Sequence, residues 1–155
     1  MSSGNNSFFD TYFTILIITV TMDCNSPYDE LTVPGTIIVS PNHPGSYDNN
    51  MDCRIIIKFE QGEKVLLQFL AFDVESHSGC GYDYLEIRDG GESNSNVIGS
   101  KLCGGNISNP IISTGNTMYL RFKTDADVTR SGFKIKAEIG KIYDNNFKNL
   151  STLNE

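Results

Sequence analysis

The sequence predicts an all-β protein, an antiparallel β-sandwich. Three observations carry this expectation. About eight short runs either alternate apolar and polar residues or are apolar throughout. Each run is bounded by Gly, Pro, Asn or Asp, the residues that supply turn conformations. No stretch repeats apolar residues at the three- and four-residue spacing of an amphipathic helix.

The elements follow in order. Residues 1–23 read as a leader, either a signal peptide or a tail. Tyr12–Val20 is an apolar run of signal-peptide length, but no basic residue precedes it and Asp10 stands just before it. It is too short to span a bilayer. A poor or truncated signal peptide is the first reading, and an extra strand is the second. Thr36–Ser40 is the first expected strand, entered through Pro34 and Gly35. Ser40 to Cys53, rich in Pro and Asn, is a loop. Cys53–Phe59 alternates, with Cys53, Ile55, Ile57 and Phe59 on one face and Arg54, Ile56 and Lys58 on the other. Lys64–Phe72 is apolar on both faces and is expected to be a central, buried strand. The acidic stretch Phe72–Gly90 leads into Tyr84–Arg88, where Leu85 and Ile87 oppose Tyr84, Glu86 and Arg88. Val97–Leu102 and Pro110–Ser113 are expected as short strands. The clearest alternation is Thr117–Thr124, with Met118, Leu120 and Phe122 inward. Gly132–Ile139 repeats it with Phe133, Ile135, Ala137 and Ile139. Residues 141–155 read as a polar tail or linker.

A chain of 155 residues fits one domain. It carries 12 Lys and Arg against 19 Asp and Glu, a net charge of −7. No basic run relieves that balance, so a nucleic-acid partner is not expected, whereas basic partners and divalent cations are favoured. Cys24, Cys53, Cys80 and Cys103 form no CxxC pair, which disfavours zinc and thioredoxin-type sites. Four spread cysteines suggest two disulfides and an oxidising compartment. Three pairings are open, of which the sequential one is simplest; four buried thiols in a cytosolic protein is the alternative. The two histidines, His43 and His77, lie in no HExxH motif, and no G-x-S-x-G elbow or phosphate-cradling glycine loop occurs. An enzyme is not expected. Sequons at Asn5, Asn106 and Asn149 are candidate N-glycosylation sites that support secretion only weakly.

Taken in order, five segments resemble a CUB domain. Cys24 opens it. GTIIVSPNHPGSYDNNMDCRIII, Gly35 to Ile57, resembles the family's Gly-x-Ile-x-Ser-Pro-x-x-Pro-x-x-Tyr segment and its second cysteine. FDVESHSGCGYDYLEIRDG, Phe72 to Gly90, matches the segment around the third cysteine, and SKLCGG carries the fourth. MYLRFKTDADVTRSGFKIKAEI resembles the closing strand pair with its Asp-bearing loop. The resemblance implies a CUB-like jelly-roll sandwich over residues 24–140, with disulfides Cys24–Cys53 and Cys80–Cys103. It implies an extracellular interaction module without a catalytic centre, part of a larger secreted or receptor protein and near a membrane only through the rest of that chain.

The resemblance also implies a calcium ion held by Glu75, Asp83 and Asp125. Asp127 stands where the family often has Ser or Asn, and the Ala126 carbonyl is a further candidate. The physical case stands beside it: calcium takes six to eight oxygens, and three adjacent carboxylates repel one another without a cation. Asp73 and Glu86 are assigned to surface or strand-edge roles. In such domains the metal end receives a Lys or Arg of a partner protein, which assigns Glu75, His77, Tyr82 and Asp83 as the contact surface. Phe59, Phe69, Phe72, Phe122 and Phe133 are expected in the core, and Tyr47 and Tyr82 as loop packing. Two alternatives remain open. One is an accessory domain of an extracellular protease. The other is a carbohydrate- or glycosaminoglycan-binding adhesin using Arg121, Lys123, Lys134 and Lys136 on adjacent strands.

Overall fold

A computed structural model describes residues 16–25 and 29–140. Among the described residues eleven strands build two sheets. They are β1 (Thr19–Thr21), β2 (Glu30–Leu31), β3 (Thr36–Val39), β4 (Asp52–Lys58), β5 (Val65–Val74), β6 (Tyr84–Asp89), β7 (Asn96–Val97), β8 (Gly104–Gly105), β9 (Ile111–Ile112), β10 (Thr117–Lys123) and β11 (Gly132–Ile139). The first sheet runs β1-β3-β11-β5-β8, with β9 also paired to β5. The second runs β2-β4-β10-β6-β7. All pairs are antiparallel except β1 with β3 and β2 with β4. No helix occurs among the described residues.

The alternating strands take the places their patterns require. Residues i and i+2 of a strand share a face, so one apolar set reaches the core. On β10 that set is Met118, Leu120 and Phe122, each 0% exposed. On β11 it is Phe133, Ile135 and Ala137, also 0% exposed. The sheets meet through Phe122 and Phe133, edge to face at 5.1 Å between centroids, and Phe72 stacks on Phe133 at 6.3 Å. Cys24 is bridged to Cys53 and Cys80 to Cys103, so the reading of four thiols is excluded.

Four expectations change. The first concerns β5, which is central but not buried on both faces. Its register with β11 shifts between Lys134 and Ile135, which pair with Ala71 and Phe69 and leave Leu70 unpaired. This is a β-bulge, and it exchanges the faces of the strand. Val65 and Leu67 point inward before it, Phe72 and Val74 after it, while Leu70 is 52% exposed and Phe69 only half-buried. The second is Val97–Leu102, which is not one strand. The chain turns at Gly99, at φ 68°, and only Leu102 bridges again to Leu85. The third lies in the expected leader, where Thr19–Thr21 pairs with Ile37–Val39 and Met22 is buried. This matches the extra-strand reading for that part; residues 1–15, and with them Asn5, lie outside the described residues, as does Asn149. The fourth is the basic patch. β10 and β11 belong to different sheets. Their apolar faces meet in the core, so Arg121 and Lys123 face away from Lys134 and Lys136, and the four do not form one surface.

The topology gathers three chain segments at one end. β10 runs antiparallel to β6, so Lys123 at its close lies opposite Tyr84 at the start of β6. The loop after β10 returns to Gly132, which pairs with Asp73 near the close of β5. Gly132 has φ 74°, and a Cβ there would collide with the Ser40 hydroxyl, which accepts the Phe133 amide at 3.0 Å. A side chain at Gly132 would break this return.

Replacing Phe122 with Ala removes the ring that packs on both Phe133 and Tyr47. A loss of about 3–5 kcal/mol is expected, measured as a lower denaturant midpoint at unchanged slope with both disulfides intact.

Candidate metal centre

The centre is built around Asp83, which precedes β6 and is 0% exposed. A buried carboxylate needs donors or a cation. The Tyr47 hydroxyl donates to its Oδ2 at 2.7 Å, and the Asp125 amide donates to its Oδ1 at 2.8 Å. Tyr47 closes the Pro-rich loop, its own amide donating to the Arg130 carbonyl at 3.0 Å. Its ring packs edge to face on Phe122 at 5.1 Å. The same hydroxyl accepts the Glu75 amide at 3.0 Å. One phenol therefore ties the close of β5 to the start of β6. Burial first, and then the hydrogen bond to Asp83, push its pKa far above the usual phenol range, so it stays a donor.

Glu75 follows β5 and is 9% exposed. Its Oε2 is buried and meets no hydrogen-bond donor. Desolvation first, and then the charges of Asp83 and Asp125, hold this carboxyl above its ordinary pKa. Asp125 enters from the loop after β10. The Asp127 amide donates to its Oδ1 at 2.9 Å, and the Asn50 amide to its carbonyl at 2.6 Å. Carboxylate oxygens of Glu75, Asp83 and Asp125 lie within 4.8 Å of one another. Among the described residues no Lys or Arg forms an ion pair with any of them. Three converging carboxylates, one with an orphaned buried oxygen, form a hard-oxygen donor set that fits a divalent cation such as calcium.

The other expected residues are placed as follows. Asp127 is exposed, and its carboxylate lies outside the cluster of three. The Ala126 carbonyl accepts the Asn49 side-chain amide at 2.9 Å. The His77 and Tyr82 rings pack at 4.0 Å between centroids, tilted by 45°, and the His77 Nδ1 accepts the Gly81 amide at 3.1 Å. Tyr82 is 46% exposed, so this pair is an outward-facing unit beside Asp83. The bridge to Cys103 ties their loop to the residue before β8. Asp73 accepts the Ser131 hydroxyl at 3.0 Å, away from the cluster. Glu86 pairs with Arg88 at 2.7 Å and is 8% exposed, more buried than a surface role implies. Asn106 is exposed.

Sequence reasoning assigned Tyr47 to loop packing and missed its part in the centre. A signal was present, since a buried phenol must find a polar partner. Thr124 was also missed: its hydroxyl accepts the Met51 amide and donates to the Asp48 carbonyl, both at 2.9 Å, fixing the Pro-rich loop beside Asp125.

The family profile of the CUB domain matches residues 24–136. Tolloid-like protein 1 of Mus musculus is 40% identical over 114 residues, covering 72% of this chain and 11% of that protein. The chain thus spans about a tenth of that relative. Among solved structures, the full extracellular region of zebrafish Gpr126/Adgrg6 aligns at TM-score 0.65 and 28% identity, over 77% of this chain and 15% of that one. The MASP-1 CUB2 domain bound to Ca2+ aligns at TM-score 0.63 and 29% identity, over 71% of this chain and 96% of that one. The Gpr126/Adgrg6 neighbour is an extracellular region, and the two disulfides of this chain fit the same oxidising, extracellular setting. No helix among the described residues is long and apolar enough to cross a membrane. CUB domains are non-catalytic modules of multidomain proteins. By its profile match and its sandwich fold, the chain belongs to the CUB domain family.

Proposed function

We propose that this domain, residues 24–140, is a recognition module whose Glu75, Asp83 and Asp125 bind one calcium ion. With the ion in place, the same end receives a Lys or Arg of an extracellular partner protein, and His77 and Tyr82 form the flank of the contact. The observation that carries the reading is the Glu75 Oε2, buried without a donor beside two other carboxylates. A cation there supplies the missing partner and removes the repulsion. Asp127 and the Ala126 carbonyl are further oxygens at the rim. Calcium fixes the loops, and the remaining lone pairs of the acids accept the partner's cation.

Calcium should stabilise the oxidised domain by mass action, about 2.7 kcal/mol at a hundredfold excess over the dissociation constant. Calorimetric titration and melting curves check this; a parent domain with no heat and no shift would sink the reading. Asp125→Ala should remove both signals.

The raised pKa of Glu75 sets a pH dependence. A carboxyl whose folded pKa exceeds its unfolded value contributes stability fully below the unfolded pKa. That contribution is lost as pH rises through the folded one. In chelator, Glu75→Gln should therefore melt higher than the parent at pH 7, with the gain shrinking on acidification. In calcium the order should reverse, because the ion requires the ionised carboxylate. Melting curves across pH, with and without calcium, read both.

Tyr47→Phe deletes one hydroxyl that serves two backbone segments. It should cost about 1–3 kcal/mol of stability and weaken calcium binding, checked by denaturant titration and calorimetry. Asn106 is exposed and lies in a sequon. Expression through a eukaryotic secretory pathway should give a mass shift that Asn106→Gln reduces by one glycan.

A further inference from the structure

The first sheet has a gap in its edge. β8 pairs near the close of β5, with Gly105 opposite Asp73, and β9 pairs near its start, with Ile111 opposite Leu67. Five residues lie between these points on each chain, 68–72 and 106–110, so one ladder in constant register could have joined them. It does not form. The Asn106 amide still donates to the Phe72 carbonyl at 3.2 Å, and then the chain leaves the sheet. Among the described residues no backbone bond joins residues 68–71 to that side.

Two residues open the gap. Asn106 has φ 52°, a left-handed conformation that Asn tolerates better than most residues and that ends a strand. Pro110 has no N–H to give to a ladder. Between them the chain stands off the sheet, with Asn106, Ser108, Asn109 and Pro110 exposed. The gap lies beside the bulge. Leu70 has no partner in β11 either, and apart from Leu16 and Ile17 no large apolar side chain among the described residues is more exposed. Ala71 is exposed as well. A single exposed leucine is ordinary on a protein surface. This one stands on backbone left unpaired toward both neighbours, and an open edge is a template for another chain. The usual guards of an edge, charged side chains, are missing from residues 68–71. What is present is the sequon Asn106-Ile107-Ser108, on the loop that crosses the gap.

We infer that an N-glycan on Asn106 covers Leu70 and Ala71 and closes this edge to other chains. The inference rests on Asn106 being glycosylated, as proposed above. Phe72, bonded to Asn106, stands two residues, about 7 Å, along β5 from Leu70, which is within reach of the first sugars. N-acetylglucosamine offers ring C–H groups and an acetyl methyl to an apolar side chain, and hydroxyls to water. The glycan is attached when the Asn106 Nδ2 attacks the anomeric carbon of a lipid pyrophosphate-linked oligosaccharide. The C–N bond forms, the lipid pyrophosphate leaves and Nδ2 loses one proton.

The test uses the full chain secreted from eukaryotic cells. Ser108→Ala abolishes the sequon while keeping Asn106 itself, and Leu70→Ser is made with and without it; Asn106→Gln replaces Ser108→Ala if that variant folds poorly. Intact mass reports occupancy. Amide hydrogen exchange at Leu70 and Ala71 should be at least tenfold slower in the glycosylated parent than in Ser108→Ala, with β10 unchanged. Ser108→Ala should also aggregate at least threefold faster than the parent, and this difference should vanish in the Leu70→Ser background. An occupied Asn106 with equal exchange in the two proteins overturns this inference and leaves the glycosylation prediction standing. An unoccupied Asn106 overturns both. The same gain in aggregation with Leu70→Ser marks general solubilisation by sugar and overturns packing on Leu70. A discrete dimer of the glycosylated parent that Leu70→Ser dissolves assigns the edge to a second copy and overturns it too.

Discussion

The bond between the Tyr47 hydroxyl and Asp83 is the constraint on which one end of the sandwich depends. Asp83 is fully buried, and in that setting an ionised carboxylate is tolerated only with strong donors. Tyr47 supplies one, and the backbone of Asp125 supplies the other. Each donor belongs to a different loop. The carboxylate is thus the point at which the Pro-rich loop, the loop after β5 and the loop after β10 are held to one another. Phe122 supports the phenol from below, and through Phe133 the same packing reaches the other sheet. Core and centre are therefore continuous: the ring that joins the sheets also sets the angle of the hydroxyl.

This arrangement concentrates negative charge where water is scarce. Glu75 shows the consequence most clearly, with a raised pKa and an oxygen without a donor. A domain that folded only for stability would place a lysine there or an apolar side chain. The converged, unmatched oxygens are what the proposed calcium ion would satisfy.

Much of the fold was legible in the sequence, for a definite reason. β4, β10 and β11 each have one face in the core, so burial imposed a two-residue period that can be read directly. The acids of the centre were legible because they sit in motifs shared with a family. What was hidden depends on relations between strands. The bulge at Leu70 is invisible in an apolar run, since both faces of that run look buried. The strand at Thr19–Thr21 reads as part of a leader because it continues the apolar run Tyr12–Val20. The assignment of Lys134 and Lys136 beside Arg121 failed because neighbours in sequence order were taken as neighbours in a sheet. Tyr47 was missed because its role is set by residues 28 and 36 positions away.

The parallel pairing of β1 with β3 fixes where the chain enters. β3 closes at Val39, and the next amide, that of Ser40, donates to the Phe133 carbonyl at the acidic end, so β1 must begin at the far end. β11 also runs toward that far end, where the Gly140 amide meets the Lys64 carbonyl. Leu16 and Gly140 thus lie at one pole, and the carboxylates occupy the other, separated by roughly 20 Å of strand. Both ends of the described sandwich therefore stand clear of the acidic pole, and nothing of either end lies between the three carboxylates and solvent beyond them.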